Sequence, residues 1–122
     1  RGGAIATNKK RKIIKPTIID LNTMAIIPGS KINNNFLFYW FQLINLTDIS
    51  NGTSIPQINN YSFDDISIYY PKSLAEQQTI VNKLDTLSAR IKQLNIIYQH
   101  KINSLEKLKK SVLQKAFNGE LN

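Results

Sequence analysis

A heptad pattern of apolar residues in the C-terminal part of the chain constrains the fold most. One set recurs every seven residues and a second set is offset from it by three, with Lys101 and Lys115 as exceptions in the second set. No Gly or Pro interrupts the chain between Pro71 and Gly119. Such a long stripe predicts that residues 73–122 form one long coiled-coil helix. Its pairing residues are Ile80, Leu84, Leu87, Ile91, Leu94, Tyr98, Leu105, Leu108 and Val112.

Both ends of this helix carry local signals. Ser73 and Glu76 are spaced as in a capping box, in which the Ser hydroxyl accepts from a first-turn N–H and the Glu reaches back to the cap. At the far end, Lys115 suits the negative pole of the helix dipole, and Gly119 suits the left-handed residue that ends a helix.

The predicted helix is too long to be covered by the residues before it. About 45 residues give a rod of roughly 70 Å, whereas a domain of residues 1–72 has a diameter nearer to ~25–30 Å. Leaving the stripe in water forfeits about 10–20 kcal/mol of burial. We therefore expect a second long helix as partner, either from the same subunit or from a homodimer partner. Lys101 favours an antiparallel pair, because in a uniform parallel dimer it meets its own copy.

Residues 1–72 predict a small mixed piece, which makes the expected fold class α+β. An aromatic helix capped by an Asn is favoured at residues 36–44, with a buried strand as the alternative, and a single helical turn is expected at residues 62–65. Four short β-prone runs predict strands. They are Ala4–Thr7, Ile13–Ile19, Thr23–Ile27 and Ile66–Tyr70.

The charge favours an anionic partner. The formal net charge is +8, and residues 1–72 and 73–122 each carry eight Lys or Arg against four Asp or Glu. Nucleic acid is the commonest partner of such a surface. The absence of Cys excludes disulfides and thiolate metal sites, and no apolar run approaches a membrane span. We expect a cytoplasmic protein that contacts no membrane, and the first residue, Arg1 instead of Met, suggests a fragment.

Three segments are candidates for contact with double-stranded DNA. The basic turn after Asn8 suits phosphates, and the polar loop at residues 51–60 offers hydroxyls and Gln57, which is able to pair with an adenine edge. The alternatives are a solvated basic hairpin and a structural loop in which Ile55 and Ile58 fill the core. The candidate DNA-binding residues are Lys9, Lys10, Arg11, Lys12, Thr53, Ser54, Gln57 and Lys72.

The sequence contains no pattern typical of catalysis. His100 has no neighbouring ligand or nucleophile and is interpreted as a surface or seam residue, and Trp40 is interpreted as core. Asp64 and Asp65 are expected to support a helical turn. We expect no cofactor, no metal site and no enzymatic activity.

Several segments resemble the distal conserved region of the specificity subunit of type I restriction-modification enzymes. These are Ser73–Val81, the heptads, and Leu113–Leu121 with its Ala-Phe-Asn-Gly-Glu-Leu end. The loop from Asn51 to Ile58 is similar to a Gly-Thr loop late in the target recognition domain of that family, and Arg1-Gly2-Gly3 is similar to its Arg-Gly strand motif.

The resemblance implies a division of labour within the chain. Residues 1–72 would be part of a target recognition domain that touches DNA. Residues 73–122 would be a conserved helix that pairs antiparallel with a second one, holds recognition domains apart and docks methyltransferase subunits, which carry S-adenosylmethionine. The rival interpretations are a coiled-coil scaffold or oligomerisation module without a DNA role, and the recognition tail of a fused methyltransferase-nuclease.

Overall fold

A computed structural model describes residues 2–52 and 54–120. Within these residues three α-helices follow one another, α1 (Gly3–Ala6), α2 (Asn34–Gln42) and α3 (Leu74–Phe117), and a 3₁₀ turn at Asn60–Phe63 precedes the last of them. The chain divides into two compact units. Unit 1 is Arg1–Val81 and contains the first turns of α3, and unit 2 is Asn82–Asn122.

The expected α+β class is wrong, because residues 2–52 and 54–120 contain no β-strand. The run at Ala4–Thr7 overlaps α1, and the runs at residues 13–19, 23–27 and 66–70 are irregular chain. Ile14 and Ile18 are 85% and 99% exposed. β-Branched residues favour a strand only where a neighbouring strand supplies cross-strand contacts. The described chain places no such neighbour beside these runs, so their propensity produces no ladder.

The aromatic segment forms helix α2, as expected from its cap and periodicity. The side chain of Asn33 accepts hydrogen bonds from the backbone N–H groups of Asn35 and Phe36. This cap satisfies two first-turn donors and thereby sets where the helix begins. The ring of Phe41 lies 6.4 Å from that of Phe63, which belongs to the 3₁₀ turn. That turn lies two residues earlier than the helical turn expected at residues 62–65.

The buried core of the described chain is small and lies in unit 1. Its buried apolar side chains are Ile5, Leu46 and Val81. The polar side chain of Gln77 is buried completely, one turn before Val81 on the same helix. The start of α3 therefore contributes two of the most deeply buried residues of unit 1.

Helix α3 confirms the long helix predicted from the heptads. It has 44 residues, which at 1.5 Å per residue corresponds to roughly 66 Å. At its start the hydroxyl of Ser73 accepts from the N–H of Glu76 at 3.4 Å. At its end Gly119 has a φ of 71°, and the N–H groups of Gly119 and Glu120 donate to Ala116 and Lys115. These two bonds form a Schellman motif, which explains why the helix stops there.

The heptad stripe of unit 2 is exposed to solvent. Leu87, Ile91 and Leu105 are 52%, 56% and 64% exposed, and Leu84 is half-buried. None of the helices in the described ranges combines the length and the hydropathy that a bilayer-spanning segment requires.

Candidate nucleic-acid interface

The basic segment after α1 runs alongside α2. The ammonium of Lys10 donates to the backbone carbonyls of Ile44 and Gln42, and it lies 5.2 Å from the centre of the Phe41 ring. A cation suits this position, because the last carbonyls of a helix carry partial negative charge. Partial burial lowers the pKa of Lys10. Lys10 therefore caps the C-terminal end of α2 in this structure.

The other basic residues of this segment are more open. The ammonium of Lys12 donates to Oδ1 of Asn35 at 2.6 Å, near the start of α2, and remains exposed. Lys9 and Arg11 are exposed as well. Of the four predicted phosphate contacts in this segment, Lys9, Arg11 and Lys12 thus present their charges to solvent.

The polar loop at residues 51–58 is closed by a backbone pair between Asn51 and Gln57. The two residues exchange N–H···O bonds of 2.7 and 2.8 Å, the one isolated β-bridge of the described chain. Gly52 has a φ of 102°, and a Cβ there would lie 2.7 Å from the carbonyl oxygen of Ile55, so the turn requires glycine. Ser54 is exposed, whereas Gln57 is half-buried. Of the two residues that the structural-loop alternative places in the core, Ile55 is 59% exposed and Ile58 is half-buried. Thr53 lies outside the described residues.

Lys72 lies beside a groove that the sequence did not indicate. Lys31, Tyr70 and Lys72 line this groove, whose volume is about 410 Å³. The two lysines are exposed and the tyrosine is half-buried. Two cationic side chains that are distant in sequence are therefore brought to one feature of unit 1.

The side chain of Gln77 binds the backbone at Lys31 and at Pro71, the residue before Lys72. Its Nε2 donates to the carbonyls of Lys31 at 3.0 Å and Pro71 at 2.8 Å. Its Oε1 accepts from the N–H of Asn33 at 2.7 Å. Both amide hydrogens are thus used, and the side chain is fully buried. A buried amide with all its hydrogens satisfied is a strong local constraint.

Unit 2 presents a basic surface together with the exposed stripe. Eight of its residues are Lys or Arg, against three that are Asp or Glu. The ammonium of Lys101, a cation at a heptad position of the stripe, lies 5.8 Å from the centre of the Tyr98 ring. His100 lines a shallow surface groove with Ile97 and Leu105. Within the described ranges, no three His, Cys, Asp or Glu side chains are grouped as a metal site would need.

Sequence reasoning missed Lys31, Tyr70 and Gln77. Gln77 belongs to the Glu-Gln-Gln start of α3, a motif that stood out in the sequence without a physical role. Lys31 is an isolated basic residue before the cap of α2, and nothing in its local pattern indicates a partner more than 40 residues away.

Comparison with known proteins identifies a family. The family model described as "Type I restriction modification DNA specificity domain" matches residues 12–107. The specificity subunit of the type I restriction enzyme EcoDI of Escherichia coli is 32% identical over 97 residues, which are 76% of this chain and 22% of that protein. The StySPI specificity subunit of Salmonella potsdam is 33% identical over 101 residues, 80% of this chain and 22% of that protein.

A third relative is the EcoKI specificity subunit of Escherichia coli strain K12, 37% identical over 76 residues, 62% of this chain and 16% of that protein. The chain thus spans less than a quarter of the length of the curated relatives it matches. No solved structure matches it significantly. The relatives are named as specificity subunits, in agreement with the expectation of a non-catalytic chain. The chain belongs to the type I restriction-modification DNA specificity domain family, as its helix motifs indicated.

Proposed function

We propose that this chain contributes to sequence recognition of duplex DNA as a non-catalytic part of a type I restriction-modification specificity subunit. The observation that carries the proposal is the family match over residues 12–107, which begins at Lys12, the last residue of the basic segment, and covers the rest of unit 1 and most of α3. Three curated relatives named as specificity subunits support the same role.

Unit 1 is the proposed DNA-contacting part. The exposed cations Lys9, Arg11, Lys12 and Lys72 suit phosphate oxygens, which position a protein on the duplex without specifying bases. Ser54 and Thr53 supply hydroxyls in the proposed contact loop, and Gln57 supplies an amide for a base edge. Lys10 is engaged by α2, so we assign it a supporting role within the interface instead of a phosphate contact.

Helix α3 is the proposed spacer and docking element. A row of Leu and Ile side chains that are about half exposed has no cover in the described chain, and burying the exposed half of each gains roughly 1 kcal/mol. A second long helix is the partner that offers the same repeat over the same length. An antiparallel arrangement keeps Lys101 away from its own copy. Methyltransferase subunits are the proposed further partners of this helix pair.

DNA binding is tested by fluorescence anisotropy with a labelled duplex at several salt concentrations. Each phosphate contact releases condensed counterions, so about four contacts predict a slope of log K against log salt near −3.6. The chain is mixed in parallel with the modification subunit of its own system and examined by size-exclusion chromatography. Binding with this slope and a stable complex support the proposal. Absence of DNA binding at about 50 mM salt would favour the scaffold interpretation.

A further inference from the structure

The groove formed by Lys31, Tyr70 and Lys72 has the chemistry of an anion site. We propose that it binds a backbone phosphate of duplex DNA, and that Gln77 assembles it. The inference rests on the proposed DNA-binding function and adds to it a defined contact at the start of α3. Of these residues, only Lys72 is suggested by the sequence as a DNA contact.

The fold brings the two lysines to one groove, next to a buried hydrogen-bond network. The amide nitrogen of Gln77 donates to the carbonyl of Lys31 and to that of Pro71, the residue before Lys72. Because both hydrogens of one NH₂ group are shared in this way, the two backbone segments are held at a short, fixed separation. Gln77 is fully buried, so water does not compete for these bonds.

The charge of the groove favours an anionic ligand. The three side chains that line the groove include two ammonium groups and no carboxylate. Gln77 fixes the backbone at Lys31 and next to Lys72, and no acidic side chain lines the groove, so the lining offers positive charge without a counter-charge of its own. A phosphodiester supplies one negative charge and several acceptor oxygens for both ammonium groups.

The third lining residue, Tyr70, also suits a nucleotide backbone. Tyr70 is half-buried, which leaves part of the side chain open beside the two exposed lysines. Its hydroxyl is a further donor to a phosphate oxygen, and its ring offers an apolar surface to the adjoining sugar. The lining therefore matches a nucleotide backbone better than it matches a free carboxylate ligand.

The experiment compares two doubly substituted chains that lose the same charge. In one, Lys31→Gln and Lys72→Gln remove the cations of the groove. In the control, Lys107→Gln and Lys110→Gln remove two exposed cations of α3 that lie outside the heptad stripe. The magnitude of the salt slope for a labelled duplex of about 30 base pairs is expected to fall by ~0.9 for a single phosphate bridged by both lysines, and by up to ~1.8 for two phosphates. The control is expected to change it by less than ~0.3.

Three further variants keep the test decisive: one double Arg variant and the two single Gln variants. The double variant Lys31→Arg with Lys72→Arg preserves both charges. It is expected to keep at least half of the difference in salt slope that separates the wild type from the double Gln variant. The fluorescence of Trp40 reports whether unit 1 of the double Gln variant is folded. If that variant unfolds, each single Gln variant is expected to show part of the same loss of salt slope.

The outcomes separate the two proposals. If the wild-type chain does not bind duplex DNA at low salt, the proposed function fails and the groove assignment fails with it. If the wild type binds and the groove variant changes the slope no more than the control, the groove assignment is overturned while the proposed function stands.

Discussion

The backbone N–H of Asn33 donates to the side-chain oxygen of Gln77 at 2.7 Å, and this bond joins the cap of α2 to the first turns of α3. Asn33 also caps α2 with its own side-chain oxygen, and its amide nitrogen donates to Gln78 at 3.0 Å. One residue thus sets the start of α2 and contacts two consecutive residues of α3. The two helix starts in unit 1 therefore depend on one hydrogen-bond network.

Substitution of Gln77 is expected to destabilise unit 1. Gln77→Leu preserves the approximate volume but leaves the N–H of Asn33 and the carbonyls of Lys31 and Pro71 without these partners. Since a buried polar group left without a partner costs about 1–3 kcal/mol, we expect a loss of roughly 2–4 kcal/mol in the free energy of unfolding. Urea unfolding followed by Trp40 fluorescence measures it.

The matched control for this substitution is Gln99→Leu. Gln99 is exposed on α3 and donates to Asn103, four residues along the helix. Because such a surface pair contributes only about 0.2–0.5 kcal/mol, the control is expected to change stability little. Equal effects of the two substitutions would contradict the role assigned to Gln77.

Lys10 is expected to matter for stability and not for the salt dependence of DNA binding. Lys10→Gln removes a cation from the C-terminal carbonyls of α2 and from the Phe41 ring, and we expect a loss of about 1–2 kcal/mol. Lys9 is the exposed neighbour of Lys10. The variant Lys9→Gln is expected to keep the free energy of unfolding within about 0.5 kcal/mol of the wild-type value and to reduce the magnitude of the salt slope by up to ~0.9. Urea unfolding and anisotropy titrations test both residues. A reduced salt slope with Lys10→Gln would identify it as a phosphate contact.

The helices were predictable from sequence because their signals are local. Asn33 caps α2 through residues two and three positions away, and Ser73 and Gly119 mark the ends of α3 within one turn. The absence of strands from the described residues was not predictable in the same way, because a ladder requires a partner segment that local propensity does not reveal. The runs around Ile14 and Ile18 have the expected composition without such a partner in the described chain.

The candidate site shows the same contrast between local and distant information. Net charge and the run of cations at Lys9–Lys12 are visible in the sequence and indicate an anionic partner. That Lys10 is tied to α2, and that Lys31 and Lys72 share a groove, depends on contacts across more than 30 residues. Periodicity and capping rules contain no information at that range, so the sequence alone does not separate supporting cations from free ones.

A pH titration is expected to reveal the turn at Asp20. The hydroxyl of Thr23 donates to the carboxylate at 2.7 Å, and together with the N–H of Asn22 it lowers the pKa of Asp20. A lowered pKa favours the folded turn above the usual pKa of an aspartate, and this contribution is lost as the pH falls through the folded-state pKa. In an NMR titration of the carboxyl carbon, Thr23→Val is expected to raise the midpoint. The matched control is Thr17→Val, because the hydroxyl of Thr17 donates to the Lys15 carbonyl and not to Asp20. In this variant the titration midpoint of Asp20 is expected to stay unchanged.

Pairing of α3 is expected to depend on its heptad stripe and not on its opposite face. Ile91 belongs to the stripe and Ile96 lies on the other side of the helix, yet the two are 56% and 59% exposed in the single chain. The substitutions Ile91→Glu and Ile96→Glu are therefore chemically matched and differ only in the face that they change. In a helix pair, a carboxylate at a seam position loses its water and replaces an apolar contact, which is expected to weaken association by at least ~100-fold.

Sedimentation equilibrium of the wild-type chain and both variants measures this association, and the Ile96→Glu variant is expected to match the wild type. A wild-type chain that stays monomeric at about 100 μM would contradict pairing between copies of this chain, and equal weakening by both substitutions would contradict the assignment of the stripe as the seam.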